Sequence, residues 1–286
     1  MTSQQYLNYI SYFMGGGSAF TGLLDTYSGA TNAYGMRRLS SSYNGSAINV
    51  RRTGGDTLDI GFDNDGNLDK TTLESFVGTG NAFITKWYDQ SGNGNDAYNT
   101  AGGEQPRIAT TGTINYDSNG ILEPIYDGSR NLVFPNKATI DNTSIFMVFK
   151  SDSNTQDSVI LQNTYTADNL VSIGLGGGTT ASKIGSRLRV GGANIYNQGG
   201  DNFTSTDTTL VSYFADNLTS EIYVDTTQKT LSVLARSGGS TSRIGSRGDD
   251  QNYFTGKIQE VVLFDSDESS NRSGIETNIN DYYSIY

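Results

Sequence analysis

Chemistry in this chain has to come from carboxylates, amides and phenols. Its 286 residues include no histidine and no cysteine, which removes histidine triads, thiolate nucleophiles, disulfides and the usual zinc sites. The stretch Trp87-Tyr88-Asp89-Gln90-Ser91-Gly92-Asn93-Gly94-Asn95 holds the only tryptophan and closes an apolar run of Ala82, Phe83 and Ile84. Ser-Gly-Asn-Gly-Asn tolerates positive φ and bonds its own backbone. The stretch therefore reads in two ways. It is a rigid β corner whose carboxylate and amide cap loop N–H groups, or it is a sugar-sized depression lined by Trp87, Tyr88, Asp89, Gln90, Asn93 and Asn95. A second group, Asp63, Asp65, Asn67 and Asp69 with Glu74, has the oxygen ligands of a calcium loop. Its glycine is misplaced, however, and Leu68 stands where the tight turn needs glycine. The plainer reading is a turn at Asp65-Gly66 and an N-cap at Asp69 for a helix running through Leu73 to Val77.

The elements that position these residues read as strands. Thirty-five glycines, 18 tyrosines and 3 prolines are the profile of short strands joined by many turns. Residues 47–52 and 57–62 alternate apolar and polar side chains as half-buried strands do. Residues 144–150 are nearly continuous in apolar residues, as a central strand is. Further strands are predicted at 158–162, 170–175, 186–190, 209–215, 221–224, 230–234 and 257–264, at sandwich-like spacing. The arginine pairs Arg37-Arg38 and Arg51-Arg52 read as solvated strand faces offsetting nearby acids. Ile275, Ile279 and Tyr282 recur at helical spacing and predict a C-terminal helix laid across the sandwich edge. Tyr6, Ile10, Phe13 and Met14 share that spacing ahead of Gly15-Gly16-Gly17-Ser18. They divide the chain into residues 1–24, a terminal helix or an anchor to a larger assembly, and a single β domain over 25–286.

The formal charge of −11 and pI near 4.4 disfavour nucleic acid and anionic membrane as partners. No apolar run reaches membrane-spanning length, and the N-terminus has no basic and apolar signal-peptide pattern.

Four blocks resemble the concanavalin A-like, laminin-G-like jelly-roll proteins of bacteriophage virions. They are Leu24 to Tyr27 with Ala33-Tyr34 and Arg37 to Tyr43; Ala47 to Arg52 with Asp59 to Phe62; Trp87 to Asn95 with Gln105-Pro106; and Gly256 to Phe264 with the helix ending Ile279 to Tyr283. The Tyr-Asp-Gln-Ser-Gly-Asn-Gly-Asn signature is also similar to one in the catalytic domain of family 54 α-L-arabinofuranosidases. The first resemblance implies an all-β, concanavalin A-like jelly-roll β-sandwich with a few short helices. The second implies a retaining glycosidase with two carboxyl groups roughly 5 Å apart. By that pattern the nucleophile strand falls at residues 167–173, where Val171 takes the glutamate's place. The acid/base aspartate falls in Gly248-Asp249-Asp250, at Asp249. The family's active-site cysteine pair has no counterpart here.

A carboxylate without its partner cannot run double displacement. The resemblance thus leads to a non-enzymatic virion protein, a spike, fibre tip or decoration, whose lectin-like domain binds host-surface glycan through the Trp87–Asn95 loop with Asp249 and Asp250. Such a protein is expected on the virion surface, without a signal peptide. Residues 1–24 would join it to other virion proteins, in a homo-oligomer that context suggests is a trimer. One alternative is a purely architectural assembly protein. Another is an arabinofuranosidase-type hydrolase using Asp249 or Asp250 with Asp168, Glu123 or Asp127. No cofactor is implied beyond the calcium candidate.

Overall fold

The computed structural model describes residues 20–135, 142–166, 169–176, 182–190, 193–195, 201–216, 219–230, 232–233 and 241–286. Residues 1–19 of the expected N-terminal segment 1–24, and Asp168, lie outside them.

The strands form two layers packed face to face. The first runs in the order Thr57–Ile60, Ile48–Arg52, Ala82–Trp87, Ala97–Tyr98, Leu132–Phe134, Ser242–Ile244, Ser158–Thr166, Asn169–Gly176 and Ser182–Val190. In the second, Thr255–Phe264 pairs with Ala30–Gly35 and Ile125–Asp127 on one side. On the other it pairs with Thr143–Ser151, followed by Thr208–Asp216 and Thr219–Val224. The strand Arg107–Thr110 bonds to both Ala82–Trp87 and Ile125–Asp127, so the two layers are hydrogen-bonded together along that side. Every pairing named is antiparallel, and the chain is an all-β sandwich with a C-terminal helix.

Directly opposed residues of antiparallel strands share a face, which fixes what each layer buries. In the second layer, Tyr34 pairs with Val261 and faces inward, with its ring 5.8 Å from Trp87 and 6.1 Å from Phe134. Phe146, Ser212 and Val262 share the opposite face. The C-terminal helix Arg272–Tyr283 covers that outer face, burying Ile275, Ile279 and Tyr283 and bonding Ser212 through Glu276 at 2.8 Å. The helix therefore lies on the flat of a sheet, not along the expected edge, and Tyr283 rather than Tyr282 completes its buried stripe. Beneath it, Arg37 and the fully buried Glu260 form a bidentate pair at 2.8 and 2.9 Å, and the Tyr283 hydroxyl donates to Glu260 at 3.1 Å. Arg37 is thus part of the packed structure, not of a solvated face, and Arg38 lies 4.2 Å over the Phe20 ring. Arg51 and Arg52 stay half-exposed, bonded to Gln105 and Asp56 respectively.

Candidate active site

The Trp87 loop turns its chemistry inward. Trp87 is fully buried and its indole N–H donates to the Gly35 carbonyl at 3.4 Å. One Asp89 oxygen accepts from the Ala33 and Ser91 amides, and the other from the Asn95 amide and the Ser91 hydroxyl. Gln90 accepts from the Leu39 amide at 2.8 Å and donates to the Gly35 and Arg37 carbonyls. The Asn93 and Asn95 side chains both donate to the Thr31 carbonyl. Tyr88 donates to Asp59 at 2.8 Å. These groups clasp the Ala30–Gly35 strand, and little bonding capacity remains for a ligand. A shallow depression of about 230 Å³ does touch Gln90 and Ser91, but Asp89, Asn93 and Asn95 do not line it.

The calcium ligands do not converge. Asp63 accepts from the Asp65 and Asn67 amides as a local turn. Asp69 caps the helix Lys70–Val77 by accepting from the Thr72 amide and hydroxyl, and these bonds hold its carboxyl below the usual range. Glu74 accepts from Tyr116, 42 residues along the chain. Among the described residues no cluster of acids is arranged to hold a metal.

On the outer face of the first layer, one row of opposed residues runs straight across the strands: Asp59, Asn49, Lys86, Tyr98, Val133, Arg243, Gln162 and Ser172. Tyr98 stands 47% exposed in the middle of it, a phenol ring free to stack on an apolar face. Beside it, Arg243 reaches the Asp250 carboxylate at 2.5 Å and donates to the buried Asn131 side chain at 2.9 Å. Asn99 in turn donates to Asn131 and, at 3.3 Å, to Glu104. The Tyr253 hydroxyl donates to Asp250 at 3.3 Å. Burial, with the Asp250 and then the Glu104 carboxylate acting on it, holds the Tyr253 phenol above its ordinary value. Asp250 bonds this phenol directly, and Glu104, from a distant part of the chain, joins the same group of residues through Asn99 and Asn131. The turn after the 97–98 strand carries Glu104, and the loop after the 242–244 strand carries Asp250.

That second loop is sharply shaped. Gly245 has φ +91° and lies so close to the Tyr126 ring that no side chain fits, while Gly248 folds back against the Thr241 carbonyl and Gln162. Asp250 and Asn252 adopt positive φ without being glycine, the strained backbone found at working sites. Asp249 stands apart from this network. Arg247 binds both its oxygens at 2.7 and 2.8 Å, and those bonds hold its carboxyl below the usual range. Of the other acids weighed as partners, Asp127 is engaged by Arg130 and Ser129, and Glu123 sits on the second-layer side beside Lys150 and Lys257. Val171 pairs with Asn163 and packs in the hydrophobic core at 1% exposure. Its neighbour Ser172 takes the outward position. A carboxylate at 171 would point between the layers, so a valine there says nothing about loss of catalysis.

The β-sandwich fold is shared with solved structures of arabinofuranosidases. The structure superposes on a crystal structure of an arabinofuranosidase complexed with arabinofuranosyl-α-1,2-xylobiose with a TM-score of 0.65 at 17% identity, over 87% of this chain and 62% of that one. A GH54 α-L-arabinofuranosidase soaked with a cyclic sulfate inhibitor gives 0.66 at 16% identity over the same shares. The chain thus spans about 62% of the length of these enzymes. Residues 25–131 match the family model of the catalytic domain of α-L-arabinofuranosidase B. No curated protein sequence matches the chain. These findings overturn the virion reading. A catalytic-domain match over residues 25–131 backs the hydrolase alternative over a non-enzymatic phage spike, fibre or host-attachment lectin.

Proposed function

We propose that this chain is a glycoside hydrolase that cleaves α-L-arabinofuranosides on the outer face of its first layer. The observation that carries the reading is the match of residues 25–131 to an arabinofuranosidase catalytic domain, because that segment supplies Tyr98, Asn99, Glu104 and Asn131. Hydrolysis of a glycoside needs two carboxyl groups, one to protonate the leaving oxygen and one to attack the anomeric carbon or to activate water. Glu104 and Asp250 take these parts. Glu104, held by a single long bond from Asn99, is the proton donor. Asp250, ion-paired with Arg243, is the nucleophile or base. Tyr98 offers its exposed ring to the sugar, and Tyr253 holds Asp250 from the other side.

The test is hydrolysis of 4-nitrophenyl α-L-arabinofuranoside by the full chain, compared with Glu104→Gln, Asp250→Asn and Asp249→Asn. Loss of a general acid or its partner costs about 10²–10⁴-fold, so the first two variants should fall by that factor. Asp249→Asn should retain most activity. Wild-type turnover that survives in both Glu104→Gln and Asp250→Asn would remove this assignment.

A further inference from the structure

A cavity of about 240 Å³ opens where the Ser182–Val190 strand of the first layer meets the hairpin of Thr219–Val224 and Thr227–Lys229 in the second. It shares no residue with the candidate active site. Buried Ile184 and Phe203 give it an apolar wall, and Asn202, Asp225 and Lys229 bring polar groups to it, with three side-chain hydroxyls between them.

The hairpin turn at this cavity breaks a local rule. Asp225 and Thr226 sit at φ +46° and +67° between the paired residues Val224 and Thr227. Two-residue turns of that form favour Asn-Gly, and a β-branched residue there is strained. Strain of this kind persists where surrounding structure and function require it. Here the turn holds the Asp225 carboxylate against the cavity. One oxygen accepts from the Leu210 amide at 2.9 Å, while the Asp225 amide donates back to the Leu210 carbonyl. Lys229 lines the same cavity, but the two do not close an ion pair, and the ammonium has no hydrogen-bond partner among the described residues.

We propose that this cavity is a second carbohydrate-binding site, taking one neutral sugar ring whose adjacent hydroxyls donate to Asp225 and accept from Lys229. One carboxylate facing one ammonium favours a ligand without net charge that both donates and accepts, which a vicinal diol does. The volume is below that of pockets for drug-sized ligands, so it suits a single ring. The proposal stands independently of the hydrolase reading.

The experiment titrates the full chain with L-arabinose, D-xylose and D-galactose separately, following backbone amide shifts by NMR. One of the three should shift the amides of residues 202–205 and 224–229. Asp225→Asn keeps an acceptor for the Leu210 amide, and Lys229→Met keeps the aliphatic stem. Both should weaken that response at least about tenfold, or roughly 1.4 kcal/mol, with melting temperature and aryl-arabinofuranoside hydrolysis unchanged. The proposal fails if none of the sugars moves these amides or if both variants respond like wild type. It also fails if glycine or sulfate produces the shifts in place of sugar.

Discussion

Arg243 joins Asp250 to Asn131: one guanidinium lies 2.5 Å from the carboxylate and donates at 2.9 Å to the amide oxygen of a fully buried asparagine. Because Asn131 is itself bonded by Asn99, which also reaches Glu104, Arg243 is the hinge between the two carboxylates of the site. Under the proposed hydrolase reading it is a positioning residue. Arg243→Met should lower kcat for 4-nitrophenyl α-L-arabinofuranoside by about 10²-fold with little change in KM. Arg243→Lys, which keeps the charge but loses the fork, should restore part of the loss. Equal changes in kcat and KM, or no rescue by lysine, would indicate a merely structural arginine.

Tyr98 tests the other half of the site. Its ring stands exposed on the row that also carries Arg243, and its replacement leaves no buried group unpaired. An aromatic contact is worth about 0.5–1.5 kcal/mol. Tyr98→Ala should therefore raise KM for the aryl arabinofuranoside several-fold and leave kcat nearly unchanged, and Tyr98→Phe should behave like wild type. Steady-state kinetics on the three proteins separate these outcomes.

The sandwich was legible in the sequence because alternation and turn residues are local signals, and residues such as Val50, Ile84 and Ile173 follow them into the core. The cap at Asp69 was equally local. The candidate site was not legible, since its parts have no local signature: Glu104 and Asn131 are a lone acid and a lone amide outside the strands, brought together by strand pairing and by the Asn131 amide's bond to the Glu104 carbonyl. The Trp87 loop drew attention through its dense polar residues, yet those residues serve the backbone of Ala30–Gly35. Val171, which the resemblance sets at the nucleophile position, faces the core. Register shifts between Val159 and Leu161 and between Thr164 and Thr166 on its partner strand are not readable from the sequence, and a one-residue slip moves a side chain to the opposite face.

Glu123 gives the molecule a pH signature away from the site. It is 5% exposed, one of its oxygens has no partner, and the other accepts only a 3.4 Å bond from Asn115. Burial raises its carboxyl above the ordinary 4.5, against the pull of Lys150 and Lys257. A raised carboxyl binds its proton more tightly in the folded state than in the unfolded one. Its favourable contribution is therefore present at acid pH and is lost as pH rises through the folded value. Glu123→Gln should unfold at higher denaturant than wild type at pH 7, with the difference disappearing below about pH 4.5. A variant less stable than wild type at pH 7 would show that the charged form is the favoured one.

Gly245 is where the fold and the proposed chemistry depend on one missing side chain. Its φ of +91° is open to glycine and costly to others, and a Cβ there would come within 2.3 Å of the Tyr126 ring and 2.9 Å of the Arg130 carbonyl. Tyr126 is fully buried and cannot swing away. Backbone strain and overpacking each cost about 1–3 kcal/mol, so Gly245→Ala should lose at least ~2 kcal/mol in denaturant unfolding. The loop that Gly245 launches bonds back through the Phe254 amide and carries Asp250, so hydrolysis should fall with it even under conditions where the variant remains folded. Gly103→Ala is the control. It adjoins Glu104, has an ordinary φ and has no atom within 4 Å of an added Cβ, and its stability should stay within about 0.5 kcal/mol of wild type. If Gly245→Ala were as stable and as active as Gly103→Ala, the loop would not need the close approach to Tyr126, and the hold on Asp250 would have to come from its side-chain bonds to Arg243 and Tyr253.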